Sequence, residues 1–262
     1  MRSFTYYKEW LRGTWRDPAQ HFQKRKARTC PCCGYRGLFV SAKRRSVREF
    51  RCPNCASRPR DRQIALMLDV LDLDLGALRI MHFAPEWWLF KRLRSNPRYV
   101  GGDILKRPNA NAIVDITDIR FPDKSFDLIV CNHVLEHVPD DMRALKECAR
   151  VLDANGLAIF TIPVPDNRLE SWDPPEGMPK DQVEEICGWD HKRIYGLDVV
   201  NRFMAAGFEV GVAWFTAEQE ESHRFFKEPV FLLAHDAKEL DRWSNSAVFT
   251  LARKREDLLN TH

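Results

Sequence analysis

Long apolar runs are missing from these 262 residues. A bilayer crossing takes roughly 18 to 20 consecutive apolar residues, and the richest stretch, Leu157 to Ile162, is far shorter. No transmembrane segment is expected. The opening residues, MRSFTYYKEW, lack the apolar centre of a cleaved leader, so a cytoplasmic location is expected. Internal repeats are absent as well. Acidic residues are scarce at the front: through Arg62 there are 17 Lys and Arg against 4 Asp and Glu, whereas the rest holds 24 and 33. So basic a head suits an anionic partner such as nucleic acid, phosphate or acidic lipid, or else a solvated surface that docks on the acidic body.

What remains is a globular composition. The chain is 44% hydrophobic and 30% charged, enough for one medium domain with a small appendage. Its eight cysteines are unevenly spread. Cys131, Cys148 and Cys187 stand alone and read as small core residues. Cys30, Cys33, Cys52 and Cys55 form two C-x-x-C pairs separated by 18 residues. In a reducing compartment such pairs read as metal ligands before disulfides. Each turn lets two thiolates converge on one ion, and four of them satisfy tetrahedral Zn2+. The expectation is a structural zinc ribbon, since four cysteines leave no open position for a substrate. Cys32 is the spare, because Cys30 and Cys33 keep the knuckle spacing.

Periodicity sets the rest of the outline. Phe4, Tyr7 and Leu11 are spaced for a short helix in a basic, aromatic segment covering 1–29. The ribbon is assigned to 30–57 and a larger second domain to 58–262. A helix with Pro59 in its first turn carries Ile64, Met67, Leu68 and Leu71 on one face. Short strands are expected at Leu78–Phe83, Tyr99–Val100, Ile113–Val114, Phe126–Cys131, Leu157–Ile162, Phe208–Phe215 and Val230–Ala234. Helices fall between them, one capped by Asp140 or Asp141 and stopped at Asn155-Gly156, another stopped by Gly207. Alternation of this kind implies a mostly parallel sheet covered on both faces, with ligands at the carboxyl ends of the strands. Pro163–Asp190 holds five prolines and reads as a lid or binding loop.

Four segments carry a family resemblance. Asp115-Ile116-Thr117-Asp118 leads through Phe121-Pro122 into Asp123-Lys124-Ser125-Phe126-Asp127. Cys131-Asn132-His133-Val134-Leu135-Glu136-His137-Val138 follows, then Arg150-Val151-Leu152 and Asn155-Gly156. Together, over roughly residues 78–234, they resemble class I S-adenosylmethionine-dependent methyltransferases, in particular the type 11 group. That resemblance implies an α/β, Rossmann-like seven-stranded sheet with helices on both faces, joined here to the N-terminal zinc-ribbon module. It implies S-adenosylmethionine as cofactor, with Asp103 of Gly101-Gly102-Asp103 on the ribose hydroxyls. Asp115 would accept from the adenine amine, Ile116 would lie beside the ring and Asn132 near the cofactor. Asp103 also lies 19 residues after Ala84, the offset that dinucleotide-type folds use. One departure stands out. Where the family has a glycine-rich loop, this chain reads His82-Phe83-Ala84-Pro85-Glu86, with no glycine for close backbone approach. Ala84 replaces the first glycine, and Glu86 either meets the cofactor ammonium or caps the following helix. His82 reads as a core or supporting residue.

Methyl transfer is an in-line displacement that rewards alignment, with a base where the acceptor must lose a proton. His133, His137 and His191 are the candidate bases, the first two read as sharing one face of a helix after the fourth strand. Gly188-Trp189-Asp190-His191-Lys192-Arg193-Ile194-Tyr195-Gly196 packs polar groups densely and resembles a signature of uncharacterised members of the group. Trp189, Asp190, His191, Arg193 and Tyr195 are its candidate substrate contacts. Three readings compete. A small-molecule acceptor such as a sugar, lipid precursor or metabolite suits the lid-like segment. A ribosomal-RNA-type acceptor suits the basic head and the zinc module. A non-catalytic zinc-ribbon adaptor suits the missing glycines.

Overall fold

The computed structural model describes residues 26–40, 50–188, 190–241 and 248–252. The expected helix around Phe4, Tyr7 and Leu11 lies outside them. Contacts divide the chain into two units: residues up to Asp72 with Thr216–Lys227, and Leu73–Phe215 with the residues from Glu228 on. In chain order the elements begin with β1 (Arg28–Thr29), β2 (Arg36–Gly37), α1 (Pro59–Leu71), β3 (Ile80–Phe83), α2 (Trp87–Leu93), β4 (Tyr99–Asp103) and β5 (Ala112–Ile113). Then come β6 (Phe126–Asn132), α3 (Asp141–Val151), β7 (Leu152–Thr161), α4 (Lys180–Cys187), α5 (Val199–Ala205) and β8 (Glu209–Phe215). The last are α6 (Ala217–His223), β9 (Val230–Ala234), α7 (Ala237–Asp241) and β10 (Phe249–Ala252).

The first unit holds an antiparallel β1–β2 pair, α1 and α6. Helix α1 thus clusters with the cysteines, whereas the sequence reading assigned it to the second domain. Pro59 sits in the first turn of α1, where a missing N–H leaves nothing unsatisfied. Beside the buried face of α1 (Ile64, Met67, Leu68 and Leu71), a small cluster of Cys30, Phe39 and Cys52 is buried at the cysteines. Arg62 adds to it. It is fully buried, lies over the Phe39 ring at 4.7 Å, and donates to the carbonyls of Ser57 (2.8 Å), His223 (2.7 Å) and Arg224. One guanidinium therefore ties the second cysteine pair to the end of α6. Arg28, also buried, donates to the Glu221 carbonyl and pairs with its carboxylate. Two of the head's basic residues are thus internal.

The second unit is built on a sheet of order β10-β8-β9-β7-β6-β3-β4-β5. Strands β3 to β7 run parallel, and β9, β8 and β10 are added antiparallel. The sheet has eight strands, not the seven expected. The addition is β10, where Phe249 and Ala252 are buried and the backbone pairs with β8, covering what would otherwise be an open edge. Buried β-branched and aromatic residues such as Ile129, Phe160, Ile162 and Phe231 make the interior continuous with Leu145 of α3 and Phe203 of α5. Strand order reverses between β3 and β6, so a ligand crevice opens there at the carboxyl ends.

Two local expectations need correction. Helix α3, capped by Asp140 through the Arg143 N–H at 2.9 Å, ends at Val151 and not at Asn155-Gly156. Leu152 already pairs with Phe126, and Leu157 with Leu128, so residues 153–156 bulge out of β7. Among the lone cysteines, Cys131 and Cys148 are buried, but Cys187 is only half-buried at the end of α4, none of whose residues is buried. No helix among the described residues is long and apolar enough to cross a membrane.

Candidate functional site

Four sulfurs converge in the first unit. The Sγ atoms of Cys30, Cys33, Cys52 and Cys55 all lie within 4.8 Å of one another. Cys30 to Cys55 and Cys33 to Cys52 are both 3.7 Å apart. A tetrahedron with metal–sulfur bonds of about 2.3 Å has edges of about 3.8 Å, so the cluster already has the dimensions of a closed thiolate site. Both knuckles are helped by backbone turns, Cys33 and Gly34 donating to the Cys30 carbonyl and Ala56 to that of Cys52. Hydrogen bonds from Cys32 and Cys52 bring the Cys30 thiol down to about 6. Cys32 itself is pushed up by burial, and its thiol points to the Asp61 carbonyl at 3.5 Å.

In the second unit a buried polar chain runs from the start of β4 to the carboxyl ends of β3, β6 and β7. Asn132 Nδ2 donates to Glu86 Oε1 at 2.7 Å, and His82 Nε2 lies 3.0 Å from Glu86 Oε2. Tyr99 Oη is 3.1 Å from His82 Nδ1, and Thr161 Oγ1 donates to Asn132 Oδ1. Burial and the nearby Glu86 charge push the Tyr99 hydroxyl up. The network takes up Glu86 without the expected capping role. It stands at the start of α2, yet its side chain makes no capping bond there, and both oxygens are engaged inside the protein. Asn132 is likewise buried, with both ends of its amide used.

Around this chain the backbone makes the crevice. Ala84 has φ 45°, in the left-handed region that glycine adopts freely, and its N–H donates to the Gly102 carbonyl. Close approach has been shifted onto β4: a Cβ at Gly101 would meet Tyr99 Oη at 2.8 Å and Pro85 Cγ at 3.0 Å. Asp103 ends β4. Its Oδ1 accepts from the Leu105 N–H at 2.8 Å, and its Oδ2 faces Arg107 Nε at 3.6 Å. Asp115 Oδ1 accepts from the Thr117 N–H and hydroxyl, and Ile116 beside it is buried. The sequence reading passed over Ile104, Leu105 and Ile113. All three are large, apolar and exposed, two directly after Asp103 and the third paired with it in register. An apolar pair following an acid at a strand end was the available signal.

Past β6 the chain does not enter the helix expected to carry His133 and His137. β6 runs through Asn132, and His133 turns left-handed at φ 54° with its N–H on the Thr161 carbonyl. A single 3-10 turn, Leu135–His137, follows. His133 Nδ1 and His137 Nε2 both face Glu136 Oε1, at 3.4 and 3.8 Å. Burial raises the Glu136 carboxyl, but the His133 hydrogen bond and the neighbouring imidazoles outweigh it, leaving the group below its ordinary value. The Lys192 N–H donates to the Glu136 carbonyl at 2.7 Å, which brings His191 against His137 with ring centroids 4.8 Å apart. Burial lowers His191 below the usual imidazole value. Asp190 Oδ1 lies 3.3 Å from His137 Nδ1.

Arg193 and Tyr195 behave differently from His191. Both are buried. Arg193 donates to Asp173 and to the carbonyls of Val138 and Pro139, and Tyr195 donates to Asp141 at 2.7 Å. Arg202 of α5 reaches both Asp141 and Asp173. These side chains fasten the loop to the start of α3, while Trp172, inside the proline-rich segment, is joined to Ile194, just past it, by paired backbone bonds. Trp189 lies outside the described residues. A pocket of about 280 Å³ opens between that segment and His191, lined by Pro139, Met178, Val183, Glu184 and His191.

Comparisons with known proteins follow this geometry. A family model described as a methyltransferase domain matches residues 100–160, the stretch from β4 to β7. No curated protein matches the chain. Among solved structures, an S-adenosylmethionine-dependent methyltransferase from Mesorhizobium loti is similar at 17% identity, over 64% of this chain and 95% of that one, with TM-score 0.45. A methyltransferase from Archaeoglobus fulgidus is similar at 14% identity, over 66% and 92%, with TM-score 0.46. The cyclase SpnF is similar at 18% identity, over 78% and 87%, with TM-score 0.47. Residues 100–160 are thus similar to a methyltransferase domain, set in a Rossmann-like α/β sheet.

Proposed function

We propose that the chain is an S-adenosylmethionine-dependent methyltransferase acting on a small or medium-sized acceptor, with a structural zinc in its first unit. The observation that carries the reading is the end of β4. Asp103 stands at the carboxyl edge beside the strand-order reversal, flanked by exposed Ile104, Leu105 and Ile113, within the stretch that resembles a methyltransferase domain. A carboxylate suits a ribose diol, and bare apolar side chains beside it suit a purine face. Asp115 and Ile116 would complete the adenine site. Glu86 and Asn132 would act from behind, holding the β3 and β6 ends together. Once bound, the cofactor supplies an electrophilic methyl group; the residues of this chain orient the acceptor and exclude water.

The acceptor would lie in the pocket beside His191, with His133, His137 and Asp190 near its mouth. Arg193 and Tyr195 would contribute by holding the loop in place. The four cysteines would hold Zn2+, which their spacing fits.

Calorimetry with S-adenosylmethionine tests the cofactor reading. Losing a charge-assisted hydrogen bond costs about 1.5 to 3 kcal/mol, so Asp103→Ala should weaken binding by roughly ten- to a hundredfold. Unchanged affinity removes Asp103 from the site, and no binding by the parent protein favours the adaptor. On a methylated acceptor, His191→Ala should lower turnover far more than cofactor affinity. Steep loss of activity with salt, and with neutralisation of Lys43, Arg44 and Arg45 (outside the described residues), would instead identify RNA as acceptor.

A further inference from the structure

We propose that Glu136, His137 and His191 form a divalent-cation site at the carboxyl edge of the sheet, distinct from the four-cysteine cluster. One ligand atom from each residue lies within 4.8 Å of the other two. Two imidazoles and a carboxylate suit Mn2+, Fe2+, Co2+ or Zn2+, and they suit a thiolate-avoiding ion such as Mn2+ far better than the cysteines do.

Glu136 supplies the independent observation. Its side chain is 1% exposed. Oε1 faces His133 and His137, but Oε2 makes no hydrogen bond among the described residues. A buried carboxylate oxygen without a donor is expensive, and a cation is the partner that removes the expense. His137 is placed for the same purpose. Its Nε2 is turned to the Glu136 side, 3.8 Å from Oε1, and the exposed Asp190 carboxylate stands 3.3 Å from Nδ1 without a hydrogen bond to it. The ligands come from two loops already joined by the Lys192-to-Glu136 backbone bond, so little ordering is needed when an ion arrives.

Three protein ligands leave coordination positions open, the pattern of sites that meet a substrate and not of closed structural ones. His191 also lines the pocket of about 280 Å³, so the open positions have somewhere to face. The ligand class that follows is a molecule offering oxygen donors, such as a hydroxylated acceptor. That last step rests on the methyl-transfer reading; the cation site does not.

The test is a titration of the whole chain, its cysteines loaded with zinc, with Mn2+ followed by electron paramagnetic resonance. One bound Mn2+ per chain is expected. His191→Ala and His137→Ala should each weaken it by roughly tenfold or more, with thermal melts showing that both variants stay folded. His191 is only half-buried, so its variant keeps the test available should a buried Glu136→Gln fail to fold. A parent protein that binds no Mn2+, or folded variants that bind it as tightly as the parent, overturns the proposal. Cofactor affinity measured on the same samples separates the two readings: protein that binds S-adenosylmethionine but not Mn2+ loses the cation site and keeps the methyltransferase.

Discussion

Ala84 holds a backbone conformation that its own side chain opposes. A left-handed residue other than glycine costs roughly 1 to 2 kcal/mol, and glycine would give back about 0.5 to 1 kcal/mol of that in chain entropy. Ala84→Gly should therefore stabilise the fold slightly, by about 0.5 kcal/mol, read as a small rise in the denaturant midpoint at unchanged slope. A clear loss of stability would mean that the methyl group packs against something that matters more than the strain. The same residue shows what was legible. The absence of a glycine-rich loop after β3 was plain in the sequence, but its compensation was not. The chain keeps the left-handed turn with alanine, and at Gly101 of β4 the Tyr99 and Pro85 side chains leave no room for a Cβ. Nothing in a linear pattern links those two positions. The capping role expected of Glu86 fails for a related reason: a helix N-terminus is visible in sequence, whereas His82 and Asn132 converging on one carboxylate is a tertiary fact.

At the level of elements, the entry to β3 is held by charge. Arg79 donates to Asp127 at the start of β6 and to Asp153 in the β7 bulge. Its hydrogen bonds hold the Asp127 carboxyl below the usual range; Asp153 is held low by the Asn155 N–H and then by Arg79. Both carboxyls thus bind protons less readily folded than unfolded. Their contribution is present above the unfolded value of about 3.9 and is lost as pH falls through the lower folded values. Against Arg79→Met, the parent should hold a constant advantage above about pH 5 that narrows as the medium drops below about 4. A gap that stays constant across the acid limb would place the arginine's contribution in packing. Periodicity located the buried strands well because they are continuous apolar runs. It failed where a pairing partner decided the outcome. Asn155-Gly156 resembles a helix stop, yet Leu152 leaves the helix to pair with Phe126. The stretch His133 to His137 has helical spacing, but the bond from the His133 N–H to the Thr161 carbonyl bends it away.

Across the whole molecule, the eight-stranded sheet supplies its own interior, and in the first unit α1 buries Ile64, Met67, Leu68 and Leu71. Around the cysteines themselves the buried cluster is small, Cys30, Phe39 and Cys52 among the described residues, and that part has little else to hold it. Its integrity should depend on the metal that the cysteines are proposed to hold. Metal analysis should find one zinc at Cys30, Cys33, Cys52 and Cys55. Chelation should melt this unit while the sheet keeps its own transition, giving two steps in a thermal scan. A single transition unmoved by chelation would show that Arg62 and its carbonyl partners suffice. The cysteine spacing announced the cluster because its ligands are close in sequence. The role of Arg62 could not be anticipated, since two of its carbonyl partners, His223 and Arg224, sit more than a hundred and fifty residues away.

That distance has a consequence for how the chain can be divided or inherited. The ribbon unit recruits α6, which the chain reaches only after β8 and before β9. The His223 imidazole meets the Thr29 carbonyl, while Arg62 gathers the carbonyls of His223 and Arg224. Neither unit is a contiguous stretch of gene. Exchanging the first 72 residues for another module would strand α6 without its partners, and transplanting them alone would leave Arg62 buried among missing carbonyls. The front of this protein is a clasp with its second half stored far downstream, and the two halves can be exchanged only together.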